Sequence, residues 1–295
     1  MHLRLISSAL ILASPLGAQA RPSTDVWIVP ITQNGSAVKL GEPRNLTHRT
    51  GYDNQPSFTA KGDAILYTVV GADAQADIWR MTLPNGVAKN LTNTPESEYS
   101  ATVTPDGRSY SVIRVEADST QRLWRFPLDG QGAPSLVLEK IKPVGYHLWA
   151  GDHTLVLYVL GANRGPATLQ IADDRTGTAE IVGTNIGRAL GKVPGRDAVT
   201  FQQLVKDSSS WISELDLRTK QTRRLFMPPP GADYHVWTAS GALLAAAGSN
   251  IYVRTDRGWD VAADLAPWGV KNITRLAISR RGDWLAFVAE DKPTP

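Results

Sequence analysis

An apolar run, a turn built on glycine and a second apolar run recur along this chain at a spacing near 45 residues. Ser57 to Tyr67 reads SFTAKGDAILY, Thr102 to Ser111 reads TVTPDGRSYS, and Ala277 to Phe287 reads AISRRGDWLAF. Weaker copies are LWAGDHTLVLY from Leu148, KVPGRDAVTF from Lys192 and VWTASGALLAA from Val236. The turn glycines are Gly62, Gly107, Gly151, Gly195, Gly241 and Gly282, separated by 45, 44, 44, 46 and 41 residues. A fixed period of this length marks an architecture of stacked units, none of which buries its apolar surface alone.

Two further elements share the period. Strand-like segments occur at Asp25-Val26-Trp27, Asp77-Ile78-Trp79, Arg122-Leu123-Trp124, Thr168-Leu169, Trp211-Ile212 and Asn250-Ile251-Tyr252, and a joint recurs at Asn45-Leu46-Thr47 and Asn90-Leu91-Thr92. Each unit reads as four short strands, with Gly, Pro, Asn and Asp between them. No stretch keeps a helical period for three turns. Four strands per unit and six units predict an all-β, six-bladed β-propeller of four-stranded blades. The chain ends on the first two strands of a unit, Ile273 to Ser279 and Asp283 to Ala289, and begins with an unpaired third and fourth, Asp25 to Ile31 and Val38 to Thr47. The last blade is therefore expected to combine residues 25–47 with 273–289, which leaves no free sheet edge. Residues 21–291 are expected to form this single domain, and 292–295 a tail.

Thr104-Pro105-Asp106-Gly107, the SFTAKGD copy, the Asp-Ile-Trp strand and the Asn-Leu-Thr joints together resemble the TolB-like, WD-repeat-like propellers of bacterial envelopes. The resemblance covers essentially the whole chain after residue 20. It implies a propeller that scaffolds or binds ligands and, less often, catalyses; the extra N-terminal domain of TolB is not expected. Prolyl-oligopeptidase-type activity is not expected either, since there is no G-x-S-x-G elbow.

Arg4, an apolar stretch from Leu5 to Leu16 and Ala18-Gln19-Ala20 have the form of a secretory leader, with cleavage after Ala20. A periplasmic or secreted protein follows, with no transmembrane segment because no later window approaches 18 apolar residues. The 31 basic and 28 acidic residues give a net charge of only +3, so no nucleic-acid partner is expected. With no cysteine there is no disulfide, no thiol nucleophile and no zinc–thiolate site. A monomer is expected.

In a propeller the first strand of each unit lines the central channel, and the residues just before it ring one mouth. Those residues include Asp53, Asn54, Gln55, Glu98, Tyr99, Tyr146, His147, Arg188, Asp233, Tyr234, His235 and Arg275. Tyr-His-x-Trp occurs twice, at Tyr146 to Trp149 and Tyr234 to Trp237, 88 residues or two periods apart. These groups read either as a polar pocket for a small ligand or a segment of an envelope protein, or as groups that hydrogen-bond backbone at the channel entrance. The leading expectation is a non-enzymatic binding propeller. The alternatives are an exported enzyme acting on a carbohydrate or lactone, with Asp53, Glu98, His147 and His235 as acid, base or metal groups, and a purely structural envelope component. No close-spaced ligand pair such as H-x-x-x-H is present, and no metal or cofactor is expected.

Several signals have simpler explanations. The Asn-x-Thr sequons at Asn45, Asn90 and Asn272 are expected as turn and strand-end residues. Lys220 to Arg224 and Arg275 to Arg281 are expected as solvated strand edges, and Ser208 to Ser210 beside Lys206 as a loop. Most Trp occupy repeat positions and are expected in packing; Trp259 and Trp268 fall outside the register and are candidate platforms. Protein recovered from a periplasmic fraction should begin at Arg21 on N-terminal sequencing; intact Met1 on cytosolic protein would overturn the leader.

Overall fold

The computed structural model describes residues 22–34, 37–83, 86–205 and 209–290. The expected leader, the tail 292–295 and Lys206 to Ser208 lie outside the described residues. Among those described, the regular elements are strands, apart from short 3-10 turns at Ala162–Arg164 and Ala266–Trp268. No helix there is long and apolar enough to cross a membrane.

The chain opens with β1 (Thr24–Asn34), β2 (Ala37–Leu40) and β3 (Arg44–Asn45), and then runs through β4 (Tyr52–Phe58), β5 (Ala64–Val70), β6 (Ala76–Thr82) and β7 (Ala88–Asn90). Next come β8 (Ser97–Val103), β9 (Ser109–Val115), β10 (Gln121–Pro127) and β11 (Ser135–Leu136), followed by β12 (Val144–Trp149), β13 (Thr154–Val159), β14 (Thr168–Asp173) and β15 (Thr178–Thr184). Then β16 (Ile186–Lys192), β17 (Ala198–Leu204), β18 (Ser210–Asp216) and β19 (Thr222–Phe226) precede β20 (Tyr234–Trp237), β21 (Leu243–Ala247), β22 (Asn250–Thr255) and β23 (Gly258–Asp264). The last two strands are β24 (Thr274–Ile278) and β25 (Trp284–Glu290).

Four of the sheets, from β8–β11 to β20–β23, are four-stranded meanders of the kind that serve as propeller blades. The other nine strands form one sheet in the order β24-β25-β1-β4-β5-β6-β7, with β2 and β3 on β1. Its two parts meet at a single parallel bridge, Thr24 to Tyr52. By contrast, β1 and β25 pair antiparallel from Thr24–Glu290 to Pro30–Trp284, so the two ends of the chain share one ladder.

The turns explain the repeat. In four of them a Thr or Ser closes the hairpin: Gly62, Gly107, Gly241 and Gly282 donate N–H to the carbonyls of Thr59, Thr104, Thr238 and Ser279. These glycines have φ between 69° and 88°, a region that L side chains enter only at a cost. Gly151 is not among the glycines of positive φ, so the third copy of the turn has a different shape. The expected single strand Val38 to Thr47 is also divided, into β2 and β3. Pro43 has no N–H for the ladder, and Gly41 donates to Pro30 O at 2.9 Å, so close that a Cβ there would stand 2.7 Å from Pro30 Cγ.

The second strands carry the core. β5 is buried at Ala64 to Val69 without a break, as are Tyr110 to Arg114 of β9, all of β21, and Leu285 to Ala289 of β25. Unbroken burial means both faces of the sheet are covered, since one covered face would give alternation. The apolar clusters accordingly span neighbouring sheets. Leu66 and Ile78 pack with Tyr110, Val112 and Phe126, and Val156 and Leu169 pack with Val199 and Phe201. Val29, Leu285 and Phe287 pack with Leu244 and Ile251. Complete burial of one such side chain is worth about 1.5 to 3 kcal/mol. The β16–β19 and β20–β23 sheets meet differently. Polar contacts run between them, from Gln202 Nε2 to Asp233 Oδ1 at 3.3 Å and from Trp259 Nε1 to Met227 O at 2.8 Å.

The Asn-x-Thr joints are clips. Asp25 Oδ2 accepts from Asn45 Nδ2 at 2.6 Å and its Oδ1 from Thr47 Oγ1 at 2.7 Å, while Thr47 Oγ1 accepts from Val26 N. Asp77, Asn90, Thr92 and Ile78 N repeat the pattern at 3.0 Å in all three contacts. Asn272 instead donates to Glu290 Oε2. Because each Thr serves a carboxylate and a backbone N–H together, Thr47→Val and Thr92→Val should each lower stability by about 1.5 to 3 kcal/mol in urea denaturation. An unchanged midpoint in either would reduce the clip to decoration.

Candidate functional site

Strands β4, β8, β12, β16 and β24 each carry a register shift against the strand that follows. The shifts fall between Asn54 and Ser57, Tyr99 and Thr102, Val144 and Tyr146, Ile186 and Leu190, and Thr274 and Leu276. Such bulges leave a residue out of the ladder, bend the strand and re-aim its side chain. Gln55, Ser100 and Arg275 stand in three of them with φ of 56°, 56° and 50°, and Gly145 and Arg188 lie inside two others. Left-handed φ at non-glycine residues is strained, and here it recurs at one structural position.

Beside these bulges lies a cavity of about 160 Å³. Gln55, Tyr146, His147, Arg188, Tyr234, His235 and Arg275 are in its wall. Gln55, Tyr146 and Arg188 also border a larger cavity of about 640 Å³, whose wall adds Tyr52, Tyr99, Ile113, Val115, Tyr158 and Leu160. The Arg275 guanidinium carbon lies 4.5 Å from the Tyr234 ring centroid and 4.9 Å from that of Tyr146, with Arg188 6.0 Å from the latter. Arg275 Nη2 donates to Tyr146 Oη at 2.9 Å, and the Tyr146 and Tyr158 rings meet edge-on at 5.6 Å. Burial pushes the Tyr234 phenol up to about 12, so it remains a neutral donor. Gln55 Oε1 ties two sheets, accepting from Thr68 Oγ1 at 2.8 Å and Ser100 N at 2.9 Å.

The carboxylates expected at the mouth are elsewhere. Asp53 and Glu98 are completely buried and border neither cavity. Asp53 Oδ1 accepts from Arg49 Nε at 2.9 Å and Nη2 at 2.6 Å, and Glu98 Oε1 accepts from Arg114 Nε at 3.0 Å and Thr94 Oγ1 at 2.6 Å. Burial nevertheless outweighs these partners, raising Asp53 to about 6 and moving Glu98 in the same direction. Asn54 is buried and donates to Thr24 Oγ1 at 3.3 Å, so it steadies β1 rather than facing a ligand. Asp233 is exposed and accepts from Gln202.

The histidines border the smaller cavity but depart from expectation in their placement. They are expected just before the strand, yet His147 and His235 lie within β12 and β20 and are 8 % and 5 % exposed. Each Tyr-His-x-Trp copy grips one hydroxyl of the preceding sheet. Ser111 Oγ meets His147 Nε2 at 2.6 Å, accepts from Trp149 Nε1 at 2.9 Å and donates to Thr102 O at 3.2 Å. Thr200 Oγ1 does the same with His235 Nε2 at 2.9 Å, Trp237 Nε1 at 2.8 Å and Gly191 O at 3.2 Å. A hydroxyl offers one proton and two lone pairs. With its proton on the carbonyl, it must accept from both rings, which assigns the proton of each histidine to Nε2. Burial holds His147 down to about 3 and His235 to about 4, so both are neutral.

Sequence reasoning missed Tyr52, Tyr158, Leu160 and the bulges. Gly145 was the available signal: it stands 45 residues after Ser100 and 90 after Gln55, and a Cβ there would meet Tyr158 at 2.9 Å. Of the two platform candidates, Trp259 is tied to Met227 O and Trp268 is 42 % exposed on its turn. Among the described residues no group of three or more His, Asp or Glu side chains is placed to hold a metal ion.

No family model matches the chain, and no curated protein sequence matches it. Its likeness is to solved structures. A protein assigned as TolB in Agrobacterium tumefaciens aligns over 92% of this chain and 100% of its own, with a TM-score of 0.72 and 13% identity. The gluconolactonase XC5397 of Xanthomonas campestris aligns over 92% and 96%, with a TM-score of 0.63 and 11% identity. TolB of Acinetobacter baumannii aligns over 69% of this chain and 52% of its own, at 0.54 and 16%, so the chain spans about half the length of that protein. At such identities the likeness is one of fold, and it supports a β-propeller of TolB-like form.

The buried imidazoles make the fold acid-sensitive. A histidine whose folded pKa is depressed contributes stability that is complete above its unfolded value near 6.5 and is lost as pH falls, by about 1.4 kcal/mol per unit. Asp53 and Glu98, both raised, work in the opposite sense: each favours the fold below its ordinary carboxylate value and loses that contribution as pH rises. From pH 6 to 4 the two histidines lower stability while these two carboxyls raise it. On acidification the denaturation midpoint should therefore fall more steeply, or rise less, in the wild type than in the His147→Asn, His235→Asn double variant. Equal slopes would remove the histidines from the linkage.

Proposed function

We propose that this chain is an exported, non-enzymatic six-bladed propeller, its last blade closed by β1 and β3 against β24 and β25, that binds a protein segment or small ligand at the channel mouth. Division of the nine-stranded sheet at its single parallel bridge supports the six-blade count. The periplasmic or secreted location rests on the leader, and the monomeric state on the pairing of the first strand with the last within one chain.

One observation carries the functional reading: the cavity walls carry tyrosines, arginines and glutamines beside the two buried histidines and no carboxylate, while the groups needed for acid–base work are bound to the scaffold. Asp53 and Glu98 are held by Arg49 and Arg114, and His147 and His235 by Ser111 and Thr200. Tyrosine and arginine give large, rigid contact area with directional donors, which suits recognition. The gluconolactonase among the structural neighbours keeps the lactone-acting alternative in view. Against it, no carboxylate borders either cavity.

The two readings separate on one substrate and two variants. Purified protein should leave D-glucono-1,5-lactone hydrolysis at the uncatalysed rate, and Tyr146→Ala with Tyr234→Ala should lose material that the wild type retains from an envelope extract. Lactone turnover that vanishes in Glu98→Gln would overturn the binding reading in favour of the enzyme.

A further inference from the structure

Arg188 and Arg275 form no ion pair among the described residues. Arg49, Arg114, Arg122, Arg125 and Arg196, by contrast, each face a carboxylate. Arg188 and Arg275 instead flank the same ring. Since their guanidinium carbons lie 6.0 and 4.9 Å from the Tyr146 centroid, the two charges are separated by at most the sum of those distances. That is on the order of a Debye length at physiological salt, so they repel, and the wall of the small cavity supplies no Asp or Glu to offset them.

From this geometry we infer that the mouth recognises an oxyanion, a carboxylate or a phosphate ester, carried on an apolar or aromatic body. The inference rests on the mouth being the binding site. Stacking on tyrosine faces fixes the planes of the guanidinium groups, and a fixed fork is the arrangement that binds planar oxyanions through paired N–H donors. Tyr146 adds a third donor. Its phenol oxygen already accepts from Arg275 at 2.9 Å, which leaves its own O–H to give. The body of the ligand would occupy the larger cavity, whose wall offers Tyr52, Tyr99, Ile113, Val115, Tyr158 and Leu160. Its volume of about 640 Å³ lies within the usual range for small-molecule sites. Arg188 borders both cavities, so head and body fall into contact with one continuous wall.

The test is calorimetric titration of the full exported chain with 3-phenylpropionate, its neutral amide 3-phenylpropionamide, and phenyl phosphate. The acid should bind at least tenfold more tightly than the amide, and weaken as salt rises from 50 to 500 mM. Arg188→Gln and Arg275→Gln should each cost tenfold or more with unchanged melting temperature, and Arg275→Lys should fall between. Comparison of the acid with phenyl phosphate tells which oxyanion is the better match. If the amide binds as tightly as the acid, and both are lost in Tyr146→Ala but kept in the arginine variants, the mouth binds and the oxyanion inference is wrong. Acid binding that survives both arginine variants and disappears in Arg125→Gln, which borders a separate cavity with Trp149 and His153, would overturn the mouth as well. Absence of binding by all three probes overturns the inference.

Discussion

A four-stranded sheet that is apolar on both faces is unstable by itself, and that constraint organises this molecule. Six successive residues of β5 and all five of β21 are buried, which requires a neighbour on either side. Every sheet therefore depends on the next. The dependence has to end somewhere, and here the β1–β25 ladder joins the first strand to the last. Because that ladder joins segments more than 250 residues apart, it carries the largest loop-closure entropy in the fold, and the Asp25 clip to Asn45 and Thr47 lies directly beside it.

The seams between sheets are not equivalent. Most bring large aliphatic and aromatic side chains together, as in the cluster of Tyr110, Phe126 and Leu66. The seam between β16–β19 and β20–β23 leans on Thr200, which serves His235 and Trp237, and on Gln202 and Trp259. Hydrogen bonds demand alignment where apolar contact tolerates sliding. The second Tyr-His-x-Trp copy thus orients its sheet as well as attaching it, and Tyr234, its first residue, is held at the mouth as a result.

Much of this architecture is legible in the residues, and the limits of legibility have physical causes. The turns could be read because glycine is needed at left-handed φ, as at Gly62, Gly107 and Gly282, and the strands because β-branched and aromatic runs recur between them. Arg188, Arg275, Tyr146 and Tyr234 could be singled out from register. Asp53 and Glu98 share that register but border neither cavity, because side chains alternate between faces and a bulge shifts the alternation by one, and His147 and His235 reach the wall of the smaller cavity while bonded to Ser111 and Thr200. Nothing in a single sequence marks where an extra residue enters a strand. The pairing of Glu98 with Arg114 was likewise hidden, being a cross-strand contact between β8 and β9, and it converts an apparent catalytic acid into a fixed part of the scaffold.

The bulges divide this protein into two kinds of position. A residue in a ladder or a seam answers to partners on several sides, whereas a bulge residue has been released from its ladder. Gln55, Ser100, Gly145, Arg188 and Arg275 occupy these released places, and they border or shape the cavities. On the proposed reading, specificity would drift without renegotiating the scaffold: exchanging Arg188 or Arg275 would alter what the mouth attracts while the clips, turns and seams remained as they were. A ring of repeats equipped in this way is a chassis on which recognition diverges faster than form, consistent with a fold that is shared at 11 to 16% identity.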